Sequence, residues 1–180
     1  RGLMTFYVLR FTGSAGLSLS KSRSVNCFLK QMDTMKVKIK RLDKALPLPR
    51  YETAGSVGFD LLCRDSVTIE PRTVELIPAN VIVETPPGYM LMVTLRSGTP
   101  RKRGLLIPHG VGVIDQDYCG QNDEIKIQVY NFTEHPVTIE RGDRIAQGIF
   151  VSVETAEWLE VLEMDSKTRG GFGSTVQTTA

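Results

Sequence analysis

Two acids and an aromatic residue stand close together in GVGVIDQDYCG, residues 110–120, straight after a small apolar run. Asp115 falls where the pattern Val111, Val113, Ile114 gives way to a glycine-flanked bend. A carboxylate held there can orient a water and take its proton, the work of a general base. The same residue type caps its own backbone in ordinary turns, so Asp115 alone leaves both readings open. Tyr118 offers an edge or a face to a sugar, or else an amphipathic cover for the core. Gly110, Gly112 and Gly120 allow the backbone to come close to something.

A second group lies in LRSGTPRKRG, residues 95–104. Arg96, Ser97 and Gly98 follow the apolar run YMLMVTL directly. A hydroxyl, backbone N–H groups at a glycine bend and a forked guanidinium suit phosphate oxygens. The G-x-x-x-x-G-K pattern of a Walker loop is absent. Arg101, Lys102 and Arg103 read equally as a solvated basic loop. Gln147 in RIAQG is an amide among small apolar residues, either a polar-face residue or a ligand contact. Asp60 interrupts the apolar run of SVGFDLL, and an unpaired acid there is costly. It requires a partner, an arginine or a metal-bound water.

The final stretch, DSKTRGGFGSTVQTTA at residues 165–180, cannot build a core of its own. Its composition suits a loose tail. The tail is the first reading from composition, and the second is a mobile lid in which Arg169 and Phe172, set among glycines, close over a phosphate and a base.

These groups must be positioned by strands. From Lys36 onward, KVKIKRL, GFDLLC, VTIE, VELIP, NVIVE, YMLMVTL, EIKIQVY, PVTIE and RIAQGIFVSV recur at the spacing of a sandwich or barrel. TPPGY (85–89) and ERGDR (140–144) are turn sequences. No segment keeps a 3.6-residue apolar period long enough for a major helix, so at most a short one is expected. The reading is an all-β body at 35–164, with an N-terminal extension at 1–34, disordered or transit-like and expected to be the least ordered part, and a flexible arm at 165–180.

The 180 residues are enough for one domain, and 41% hydrophobic with 23% charged is ordinary for a globular protein. A formal charge of +2 gives no argument for nucleic acid or a membrane surface as partner. No apolar run approaches the roughly 18 residues of a spanning helix. Cys27, Cys63 and Cys119 form no CxxC pair and read as reduced thiols. His109 and His135 are too isolated for a histidine metal site. Residues 1–34 carry Arg1, Arg10, Lys21, Arg23 and Lys30 against Asp33 alone. That composition suits a transit peptide, or else sequence upstream of a start at Met35. The expected compartment is therefore the cytoplasm, with a mitochondrion or plastid as the alternative.

The order AGSVGFDL, RSG, GVGVIDQDY, RIAQ, RGGFGST resembles the five motifs of the trimeric dUTP pyrophosphatases, over about residues 36–176. The resemblance implies a distorted, jelly-roll-like β-barrel, a homotrimer with shared active sites, and Mg²⁺-dependent hydrolysis of dUTP to dUMP and pyrophosphate. In its terms Asp115 activates water for attack on the α-phosphorus, and Tyr118 stacks beneath the deoxyribose. The hairpin from Gly110 through Val113 and Ile114 to Asp117 reads uracil. Arg96, Ser97, Gly98 and Gln147 correspond to phosphate contacts, and Asp60 to an acid near the metal, acting through water or by holding an arginine. Arg169, Phe172, Gly173 and Ser174 correspond to the closing arm. The run between Arg169 and Phe172 is shorter than usual for the family, so Lys167 shares the candidacy for the γ-phosphate. Cys119 stands where arginine is common, and Gly148 where a larger apolar residue is common.

Two rivals bear on the same sequence. A dCTP deaminase of similar fold needs a glutamate on the strand after the hairpin, where this chain has Gln128. A non-catalytic nucleotide-binding relative would leave both Asp115 and the glycine-rich arm without a task.

Overall fold

The computed structural model describes residues 34–171 and, ahead of them, the backbone of two strands. Those strands, β1 (Tyr7–Phe11) and β2 (Leu17–Lys21), pair antiparallel within a unit spanning Arg1–Lys36. The strand reading from sequence began only at Lys36, so this hairpin is an addition. The rest of the extension and residues 172–180 lie outside the described residues.

The body, from Val37 on, is a compact unit of short antiparallel strands. In chain order these are β3 (Ile39–Arg41), β4 (Phe59–Leu61), β5 (Val67–Ile69), β6 (Val74–Pro78), β7 (Val81–Val83) and β8 (Tyr89–Leu95). Helix α1 (Thr99–Arg103) follows. Then come β9 (Leu105–Leu106), β10 (Gly112–Ile114), β11 (Lys126–Asn131), β12 (Val137–Ile139) and β13 (Ala146–Ser152). The architecture is all-β and jelly-roll-like, with, among the described residues, the one short helix that the missing 3.6-residue period allows. The sheets remain open, with strand orders β10-β8-β13-β4, β6-β11-β9, β12-β5 and β3-β7.

Strand periodicity explains the core. On β11, Ile127, Val129 and Asn131 turn inward while Lys126, Gln128 and Tyr130 face outward. Leu61, Ile77, Leu91, Leu105, Ile127, Val129, Ile139 and Ala146 are fully buried and form one cluster. Each of these leucine, isoleucine and valine side chains stabilises the fold by about 1.5–3 kcal/mol relative to exposure, before its entropy cost. Asn131 is buried too, yet its amide donates to the carbonyls of Ile69 and His135. It therefore ties β11 to the β5–β12 pair, as a buried amide must to be tolerated.

Helix α1 owes its limits to its ends. Pro100 stands at the start, where its missing N–H costs nothing, and Gly104 at the C-cap adopts φ +67°. A Cβ at Gly104 would also run into the Thr133 methyl, so any side chain there adds a clash to the strain of its positive φ.

Candidate functional site

The four-stranded sheet carries most of the candidate residues. β13 runs between β4 and β8, and its Gln147 stands opposite Asp60 on one side and Thr94 on the other. Gly58, just before β4, leaves room for that amide: a Cβ there would meet Gln147 Oε1 at 2.8 Å. The glycine of the first motif thus accommodates the glutamine of the fourth.

Asp60 is buried, and both its oxygens meet arginine. Arg96 Nε is 3.1 Å from Oδ1 and Arg144 Nη1 is 3.1 Å from Oδ2. Arg144 also pairs with Glu52 at 2.9 Å. The arginine partner expected for an acid in an apolar run is present, twice over. Arg144 and Glu52 were not singled out from sequence, although Arg144 stands immediately before IAQ. Arg50 holds the carboxyl of Glu52 below the usual carboxylate range, with Arg144 and Arg96 adding to the effect.

Arg96, Ser97 and Gly98 leave the end of β8 and are fastened to the start of β13. The Arg96 N–H and the Thr99 hydroxyl both donate to the Ile145 carbonyl, at 3.0 and 2.7 Å. Gly98 has φ −83°, so the bend does not draw on glycine's left-handed freedom. Ser97 is exposed. Around these residues a concavity of about 410 Å³ is lined by Arg96, Arg101, Lys102, Arg103 and Arg144, with Ser97 and Gly98 on its wall. Asp143 pairs with Arg103 at 3.0 Å, and Asp60 with Arg96 and Arg144. Arg101 and Lys102 have no ion-pair partner among the described residues. Such a surface favours a multiply charged anion.

The second half of the candidate set lies on β10 and the bend beyond it. Gly110 has φ +85°, a conformation that requires glycine. A Cβ at Gly112 would sit 3.2 Å from Val93 Cβ, so this glycine lets β10 lie close on β8. Val113 is exposed, and Ile114 packs partly against the core. Asp115 and Asp117 are exposed. It is the main-chain carbonyl of Asp115 that accepts the Tyr118 N–H, at 3.4 Å. The carboxylate takes no hydrogen bond from the described residues. Tyr118 is 40% exposed, and its hydroxyl donates to the Glu124 carbonyl at 3.2 Å.

The fold does not bring these two halves together within one chain. Ile114 pairs with Leu91, so Asp115 emerges at the Tyr89 end of β8, whereas Arg96 and Ser97 emerge past Leu95. At about 3.3 Å per residue the separation along the sheet is roughly 20 Å. Arg169 is exposed, and Phe172, Gly173 and Ser174 lie outside the described residues. No group of three or more His, Cys, Asp or Glu converges as a metal cage among the described residues. A Mg²⁺ carried mainly by phosphate oxygens and water still fits this surface, because that ion needs few protein ligands. With both oxygens engaged by arginines, Asp60 suits such an ion only through water.

Comparison with known proteins agrees with the geometry. The dUTPase family model matches residues 44–176. The deoxyuridine 5'-triphosphate nucleotidohydrolase of Hydrogenobaculum sp. (strain Y04AAS1) is 40% identical over 144 residues, spanning 78% of this chain and 98% of that protein. Its counterpart from Helicobacter pylori (strain P12) is 37% identical over 143 residues, spanning 78% and 97%. Among solved structures, the dUTPase of Streptococcus mutans superposes with a TM-score of 0.61 at 31% identity, covering 67% of this chain and 98% of that one. The Staphylococcus bacteriophage 80alpha dUTPase solved with dUPNHPP gives 0.69 at 28% identity, covering 79% and 99%. With the motifs in order, the matching sheet and a family model over most of its length, this chain belongs to the dUTPase family.

Proposed function

We propose that this chain hydrolyses dUTP to dUMP and pyrophosphate, supplying dUMP and keeping uracil out of DNA. The observation that carries the reading is the basic concavity around Arg96, Ser97 and Gly98 in a chain of this family. A triphosphate is the kind of anion that several guanidinium groups, a hydroxyl and main-chain donors hold together.

In this reading Asp115 takes the proton of a water aimed at the α-phosphorus. Its exposure and free carboxylate leave it able to do so. Ser97, Gly98, Gln147 and Arg96 orient the phosphates, and the turn from Gly110 to Asp117 presents main-chain groups to uracil. A buried slot that satisfies uracil leaves the amino group of cytosine unpaired, an effective rejection. Tyr118 covers the deoxyribose, and Arg169 or Lys167 with Phe172, Gly173 and Ser174 closes the site. When bound, Mg²⁺ neutralises phosphate charge and fixes the triphosphate geometry.

The separation of Asp115 from the basic concavity supports a homotrimer in which one subunit's turn meets another's phosphate surface. The outer face of β6-β11-β9 also supports self-association. There Val74 and Leu106 flank Tyr130, and Leu76 stands opposite Gln128, exposed in a single chain. Past β13, Trp158, Leu159, Leu162 and Met164 stand almost wholly in water, a costly arrangement for an isolated subunit.

The test is incubation with dUTP, dCTP and UTP plus Mg²⁺, with the products identified. Release of dUMP and pyrophosphate from dUTP is expected. Deamination of dCTP without pyrophosphate release would overturn the proposal. For the compartment we propose the cytoplasm, or a mitochondrion or plastid should residues 1–34 act as an address. A fluorescent fusion of those residues distinguishes the two.

A further inference from the structure

We infer that Arg64 and Glu124 are positioning residues for Tyr118 and through it set how well ribose is rejected. The inference rests on Tyr118 covering the sugar, as proposed above. It concerns two residues that the five motifs do not include.

The geometry runs in one line from a buried charge to the tyrosine ring. The Tyr118 hydroxyl is held by the main-chain carbonyl of Glu124, at 3.2 Å. The Glu124 side chain is buried, at 5% exposure, and takes three donors. Arg64 Nε and Nη2 reach its two oxygens at 2.8 and 3.0 Å, and the Asn80 N–H reaches Oε1 at 2.9 Å. Asn80 is fixed in turn: its side chain receives the Asp43 N–H at 2.7 Å and donates to the Asp43 carbonyl at 3.0 Å. Arg64 is held by its own N–H on the Pro78 carbonyl, at 2.8 Å.

Between Tyr118 and Glu124 the chain forms a turn, closed by the Gly120 N–H on Asp123 Oδ2 at 2.6 Å. The Tyr118 hydroxyl spans that turn. Its ring, 40% exposed, would otherwise be free to choose among rotamers at the mouth of the site. Removal of Arg64 leaves a buried carboxylate with one backbone donor, which is strongly unfavourable. The Glu124 side chain then turns toward water, and the turn whose Glu124 carbonyl holds the tyrosine hydroxyl loses one of its anchors. A slot that excludes one hydroxyl group tolerates little movement in its floor.

The experiment measures kcat/KM for dUTP and UTP in the full chain and in Arg64→Met, Arg64→Lys, Tyr118→Phe, Tyr118→Ala and the double variant Arg64→Met with Tyr118→Phe. Arg64→Met is expected to lower the dUTP/UTP ratio about three- to tenfold, the reach of one ordered hydrogen bond. Tyr118→Phe should lower it by a similar factor, and Arg64→Lys should restore most of it. The double variant should lose no more than Tyr118→Phe alone, because both act on one contact. A purely structural pair would lower the melting temperature and leave the ratio in place, and that result overturns the inference. Effects of Arg64→Met and Tyr118→Phe that multiply overturn it as well. Should Arg64→Met not fold, an unchanged ratio in Tyr118→Phe overturns it alone. Wild-type protein that releases no pyrophosphate from dUTP sinks the proposed function and this inference with it. Unchanged discrimination in Tyr118→Ala sinks the sugar-covering role. If both of those hold and only the Arg64 and Tyr118→Phe arms fail, the positioning inference fails by itself.

Discussion

Asp60 on β4 and Arg96 just past β8 form an ion pair, Oδ1 to Nε at 3.1 Å, although a third strand, β13, runs between β4 and β8. The other oxygen of Asp60 meets Arg144 at the same distance. One buried acid therefore sets the two arginines at the edge of the phosphate concavity. Asp60→Asn keeps the size and removes the charge. The arginines are partly solvated, so the expected loss of stability is about 1–3 kcal/mol, less than for a wholly buried pair. The KM for dUTP should rise more than kcat falls, because the phosphate surface loosens. Urea unfolding and steady-state kinetics check the two halves.

Asp115→Asn tests the base. The substitution alters one group in an exposed bend, so folding and dUTP binding should persist while turnover falls by at least about a hundredfold. Equilibrium binding of a non-hydrolysable analogue alongside product release separates the effects. Normal turnover in this variant removes Asp115 from the mechanism.

Gly148 lies directly against the Phe59 ring, and a side chain there has no room. A Cβ there would lie 2.6 Å from Phe59 Cζ and 3.1 Å from Leu91 Cδ1. The Phe59 ring fills that space, packed edge-on by Tyr51. Gly148→Val should destabilise the fold by about 1–3 kcal/mol through overpacking. Phe59→Leu added to it should recover part of the loss. Thermal melts of the single and double variants decide.

The Asp43–Arg141 pair, Oδ2 to Nε at 3.2 Å, gives a pH dependence. The hydrogen bond from Arg141, helped by the Ala45 N–H, lowers the Asp43 carboxyl below its usual range. A group whose folded-state value lies below its unfolded value stabilises the fold above the unfolded value. That contribution disappears as pH falls through the folded one. Asp43→Asn should therefore lower the urea midpoint at pH 7 and converge with wild type in strong acid. An equal gap at both pH values contradicts this assignment.

Much of the body was legible because burial imposes a two-residue period on strands. YMLMVTL, VELIP and RIAQGIFVSV all became strands, and the lack of a helical period matched the brevity of α1. β9 escaped, since two residues carry no period. Arg64, Glu124, Glu52 and Arg144 escaped as functional or supporting residues for a different reason. Arg64 lies 60 residues from Glu124, and Arg144 lies 84 from Asp60. An ion pair leaves no trace in local pattern. The local hint is an acid, Glu124, set beside the buried Ile125 just ahead of β11.

From sequence alone came the chemical groups, their order along the chain and the strands beneath them, because those depend on residue type and near neighbours. Tertiary structure alone decided that Asp60 holds two arginines, that Gly58 and Gly148 make room for Gln147 and Phe59, and that Tyr118 hangs from Glu124. It also decided that Asp115, leaving β10, and Ser97, beyond β8, stand near opposite ends of β8. Strand register sets those distances, and register is chosen by the packing of the whole sheet.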